Sequence, residues 1–153
     1  MLIRRLLAFF VLTLALVPFA AAQAQPTPRA DDDSAFDERA AAAALGHLRD
    51  GLEAHSQRLF LANFDATQMP GFLSFSDQIE AYFTRYESFR IIYHIRQTSQ
   101  EGERGVILAD VTVENSPRGG GRITRREGQL RIVLAPSQKG WKIVDLSPRG
   151  FFS

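Results

Sequence analysis

The chain contains no cysteine. That absence removes disulfides, thiolate metal sites, a cysteine nucleophile and a lipid-modified N-terminal cysteine together. An excess of charge of one sign is missing as well: 18 Lys and Arg stand against 17 Asp and Glu, a formal net charge of +1. No whole-molecule field draws in nucleic acid or an anionic membrane, and neither is expected as a partner. Histidine is scarce; His47, His55 and His94 fall at no ligand spacing, so no metal and no cofactor is expected. There is no Gly-x-Ser-x-Gly elbow, and the triple glycine Gly119 to Gly121 sits in a hairpin rather than in a phosphate loop behind a strand. What is present is ordinary for one folded domain: 153 residues, 45% of them apolar and 23% charged.

Long apolar runs are absent with one exception, Leu6 to Val17, broken only by Thr13. Arg4 and Arg5 precede it, and Pro18 and Ala20-Ala21-Ala22-Gln23-Ala24 follow. At about 1.5 Å per residue the run covers about 18 Å. That is short of the ~30 Å hydrocarbon core, so no stable membrane anchor is expected. Positive charge, a short greasy stretch and a small-x-small site form a secretory signal over residues 1–24, cut after Ala24 or alternatively after Ala22. Export to the periplasm or the medium follows. The Pro-containing, acidic stretch 25–34 reads as a disordered leader, and 35–153 as one domain.

Within that domain Ser34 is expected to cap a helix from about Ala35 to about Ala62. Leu45, Leu48, Leu52, His55 and Leu59 make its apolar stripe, and Gly46 and Gly51 allow a kink or two abutting helices. Met69-Pro70-Gly71 marks a turn. Ser76 is expected to cap a shorter helix with Ile79, Tyr82, Phe83 and Tyr86 on its buried face. Near Ser88 the period changes from 3.6 to 2. Phe89 to Arg96, Ile107 to Glu114, Gln129 to Leu134 and Trp141 to Leu146 alternate as strands, with an expected bulge at Glu127-Gly128. Helices first and strands after them is the α+β class: N-terminal helices packed on a curved antiparallel sheet of about four strands.

The order of these pieces resembles the nuclear transport factor 2-like superfamily, also called SnoaL-like, whose members fold as a cystatin-like cone. Three stretches carry the likeness: Leu59-Phe60-Leu61-Ala62-Asn63-Phe64-Asp65, Asp77-Gln78-Ile79-Glu80-Ala81-Tyr82-Phe83 and Gly140-Trp141-Lys142-Ile143. The resemblance covers about residues 40–147. It implies a cone that often holds a pocket in its wide mouth and often dimerises through its sheet. Some members are isomerases, cyclases or dehydratases; many are binding or assembly modules, and fold alone does not choose between them.

Several side chains are candidates for a site. His55, on the apolar stripe, is either a pocket base or ligand donor, or a core histidine bonded to a backbone carbonyl. Asp65 stands where isomerase-type members place a carboxylate base. Such members also need a protonated acid and a tyrosine aimed at one oxyanion; only Asp110 and Asp145 are on offer, and Asp110 alternates away from the helices. Tyr82, Tyr86, Tyr93 and Trp141 either line a pocket for a flat apolar ligand or are simply core. Arg118, Arg122, Arg125, Arg126 and Arg131 crowd one hairpin, either as an anion dock or as charge that guards a sheet edge. Ile92, Leu108 and Val133 face outward, a strip suited to a homodimer through the sheet. Phe151 and Phe152 are either packed on the cone or free. The combined expectation is an exported, non-catalytic binding or accessory domain whose cone holds a small apolar or aromatic ligand or a protein partner. The alternatives are a small isomerase, cyclase or dehydratase using Asp65 or His55 as base, and a dimerising interaction module.

Overall fold

A computed structural model describes residues 36–153. The expected signal segment 1–24, the leader 25–34 and the Ser34 cap lie outside the described residues. Helix α1 runs Glu38–Glu53, and the Asp37 carboxylate caps it by accepting the Ala40 N–H at 2.7 Å. Ala41, Ala44, Leu45, Leu48 and Leu52 bury one face of it. The helix does not continue to Ala62. Gly51 brings the next segment so close that a Cβ there would stand 2.6 Å from the Phe60 backbone nitrogen. The chain turns through His55 in the left-handed region, φ 49°, and restarts under a Ser56 cap as α2, Gln57–Leu61. The restart resets the helical phase. Leu59, expected inside, is 49% exposed, and Phe60 takes the buried position.

Helix α3, Phe72–Arg85, begins at Gly71, whose φ of 69° suits glycine; Ser76 is interior to the helix rather than its cap. Its buried face is Phe75, Ile79, Tyr82 and Phe83, and Tyr86 is already the first residue of the sheet. Strands β1 Tyr86–Glu101, β2 Arg104–Pro117, β3 Thr124–Ser137 and β4 Gly140–Ser147 form an antiparallel meander in the order β1-β2-β3-β4. Phe89, Ile91, Ile107, Ala109, Val111, Val113, Leu130, Ile132 and Leu134 turn inward to the helices and are buried. No described helix is long and apolar enough to cross a membrane.

The bulge expected at Glu127-Gly128 does not exist: Gly128 pairs in regular register with Val111. The glycine answers a different demand. A Cβ on it would sit 3.1 Å from the Phe151 ring, so the residue makes room for the end of the chain. Register shifts fall instead on β1, between Tyr86 and Ser88 and between Ile95 and Gln97, and on β4, where Asp145 and Ile143 pair with the consecutive Val133 and Leu134. After β4 a short 3-10 turn, Arg149–Phe152, folds back onto the body with both phenylalanines buried. The loop after α2 is pinned to β4 by Asp65 N–H to Ile143 O at 2.8 Å and Ile143 N–H to Asn63 O at 2.9 Å.

Candidate functional site

The space between the helices and the sheet is filled by aromatic rings. His55 stacks on Phe89 with centroids 5.5 Å apart and meets Phe83 edge-on at 5.4 Å. Its Nε2 lies 2.8 Å from the Tyr86 carbonyl oxygen. A carbonyl only accepts, so Nε2 carries the proton. His55 is half-buried and its ring is bonded to a backbone carbonyl. It comes from the break between α1 and α2, not from a helical stripe. Tyr82 is 2% exposed, stacks on Phe89 at 5.0 Å and touches Tyr86 edge-on at 5.2 Å. Its hydroxyl donates to the buried Asn115 side-chain oxygen at 2.6 Å, and burial pushes the phenol above its ordinary range. His55, Tyr82 and Tyr86 are therefore brought together through Phe83 and Phe89, as one packed cluster.

The other candidates stand apart from it. Tyr93 is half-buried at the margin of the same core. Trp141 packs edge-on against Phe36 at 5.0 Å and borders a cleft of about 250 Å³ with Ala40, Ala44, His47, Asn63 and Lys142. Asp65 lies at the end of α2 in an open hollow of about 340 Å³ beside Lys139 and Lys142. Four hydrogen bonds fix it: Thr67 Oγ1 at 2.6 Å, Thr67 N–H at 2.9 Å, Gln68 N–H at 3.1 Å and Gln68 Nε2 at 3.0 Å. The Thr67 hydroxyl above all, then the backbone amides, hold its carboxyl down at about 2. A base that attacks carbon needs the opposite shift. The carboxylates on offer for an isomerase come from different elements and each is bonded locally. Asp110 is on the outer face, bonded to Arg96 at 2.5 Å and Gln129 at 3.3 Å, and the Arg96 bond lowers its pKa. Asp145 is bound to Arg149 at 3.1 Å.

Four of the five clustered arginines make local contacts, and Arg122 is exposed. Arg118 donates to the Thr84 carbonyl, Arg125 pairs with Glu127 and Glu114, Arg131 pairs with Glu101, and Arg126 reaches the last residues of the chain. The outward strip is uneven: Ile92 is 55% exposed, Leu108 is half-buried, and Val133 is buried with Ala135 and Val144 in a small second cluster. Among the described residues no group of three or more His, Asp or Glu side chains is placed to hold a metal ion.

Two features escape a reading by pattern. Cross-strand register aligns His94-Asp110-Gln129 and Ile92-Thr112-Glu127 on the outer face, around a hollow of about 400 Å³. Their signal was available in the register of the hairpins, once loop lengths are known. The second is the closing segment. Phe152 is 0% exposed, 5.3 Å from Phe60 and 6.1 Å from Tyr82 between ring centroids, so it lies inside the cone. Nothing local in the sequence decides that placement.

No family model matches the chain, and no curated protein does. Solved structures do. A nuclear transport factor 2-like superfamily protein from Salmonella enterica serovar Typhimurium superposes with a TM-score of 0.61 at 13% identity, over 71% of this chain and 86% of its own. A ketosteroid isomerase-like protein from Erwinia carotovora atroseptica gives 0.58 at 16%, over 72% and 95%. A candidate scytalone dehydratase from Novosphingobium aromaticivorans gives 0.64 at 12%, over 76% and 85%. At such identities the likeness is one of fold. Three helices on an open four-stranded antiparallel sheet give this chain the nuclear transport factor 2-like cone.

Proposed function

We propose that this chain is an exported, non-catalytic binding domain, which holds its partner and does not transform it. The observation that carries this reading is that the cone is occupied by the protein's own rings, with Phe60, Tyr82 and Phe152 at 0–2% exposure. The two candidate bases support it. Asp65 is locked as a weakly basic anion in an open hollow, and the His55 Nε2 proton is committed to the Tyr86 carbonyl. The hydroxyl of the most deeply buried tyrosine, Tyr82, is committed to Asn115. Catalysis by proton transfer needs an acid and a base within reach of one substrate atom; Asp65 stands in a separate hollow from the cluster that holds His55 and Tyr82, and the two groups in that cluster are each bonded within the protein.

The fold neighbours supply the test substrates, a 3-ketosteroid and scytalone. Neither is expected to turn over above the buffer rate. Turnover that disappears in Asp65→Asn or His55→Gln would overturn the reading. The export half is checked by N-terminal sequencing of the protein from the cell that makes it. A mature chain starting at Gln25 is expected; one that keeps Met1 contradicts it.

A further inference from the structure

We infer that the slot filled by Arg149 to Ser153 is a recognition site for a peptide segment bearing two consecutive aromatic side chains, occupied here by the chain's own tail and open to the same kind of segment from a partner protein. The inference rests on the binding reading above and names its ligand class. Strand β4 pairs with β3 only from Arg131 onward, so Thr124 to Leu130 of β3 has no strand on that side. The tail follows β4 and lies against that stretch. Phe152 enters the ring cluster beside Phe60 and Tyr82. Phe151, 5% exposed, lies against the backbone at Gly128, which has no Cβ to obstruct it.

The body also reads the tail's main chain. Gln78 Nε2 donates to the Arg149 carbonyl at 2.7 Å and the Phe152 carbonyl at 2.9 Å. Arg126 Nη1 donates to the Gly150 carbonyl at 3.0 Å and the Phe151 carbonyl at 2.6 Å. Four successive carbonyls are thus met by two side chains of the body, one on α3 and one on β3. The tail's own side chains add tethers: Arg149 donates to the Pro70 carbonyl at 2.6 Å and to Asp145 at 3.1 Å, and the Ser153 hydroxyl accepts from Arg126 at 3.4 Å. Ser153 Oγ donates to the Gly150 carbonyl at 2.8 Å. Two ring positions plus donors aimed at main-chain carbonyls are the needs of a peptide, whichever chain supplies it. Covalent attachment gives the tail an effective concentration on the order of millimolar, so the intact chain resists a free competitor.

The test uses the full chain with Phe151→Ser and Phe152→Ser, which clears the two ring positions and leaves Gln78, Arg126, Phe60 and Tyr82 in place. The probe is a fluorescent Ser-Pro-Arg-Gly-Phe-Phe-Ser peptide, read by anisotropy. Saturable binding is expected, at least about tenfold tighter than to the intact chain. It should weaken at least about tenfold on adding Gln78→Ala and Arg126→Ala, which remove all four donor bonds to the carbonyls. If the cleared chain does not fold alone, the peptide is expected to restore its cooperative melting. A folded cleared chain that ignores the peptide, an unfolded one the peptide cannot restore, or equal binding of a peptide with both Phe replaced by Ser overturns the inference. Turnover of the ketosteroid or scytalone would instead overturn the binding reading, so the two failures are told apart.

Discussion

Asp65 and His55 illustrate how surroundings decide what a titratable side chain does. Both were legible as candidates because each is a polar group placed near an apolar run. Their roles were not legible, since the partners that fix them lie elsewhere in space or depend on a turn: Tyr86 for His55, and Thr67 with Gln68 for Asp65. For Asp65 the consequence is measurable. Its folded value, about 2, lies below the ordinary range of an aspartate. A group depressed on folding stabilises fully above its unfolded value and loses that contribution as pH falls through its folded value. The melting temperature of the wild type is therefore expected to exceed that of Asp65→Asn at pH 5, with the gap closing between about pH 4 and pH 2. A gap that stays constant across that range contradicts the assignment.

At the scale of elements, the change from helical to alternating spacing was readable near Ser88, and the sheet begins close by at Tyr86. Periodicity works there because each strand buries one face. It failed at the joint between α1 and α2. Gly51 was visible as a weak point, but the reason for it, the approach of the Phe60 backbone, is a contact between two elements. Leu59 was misplaced for the same cause, because a stripe carried through a break keeps the wrong phase. Gly51→Ala should force α1 and α2 apart and cost about 1–3 kcal/mol, measured by urea unfolding. An unchanged midpoint and slope would show that the joint is not close-packed. Gly128 makes the same point on the sheet: its neighbour is Phe151, 23 positions along the chain, so pattern alone suggested a bulge where the register is regular.

For the whole molecule, the cone was predictable and its contents were not. Tyr82 and the core strands follow from helical spacing and alternation, whereas Tyr86, expected on the helix, opens the sheet; the aromatic tail that closes the cone comes after the last alternating strand and carries no period of its own. Its docking is what separates a filled cone from an open pocket. The most direct measurement is a nuclear Overhauser spectrum of the intact chain with assigned aromatic side chains. The account predicts cross-peaks from the Phe152 ring to the rings of Phe60 and Tyr82. A Phe152 ring with solvent-averaged shifts and no such cross-peaks would contradict it.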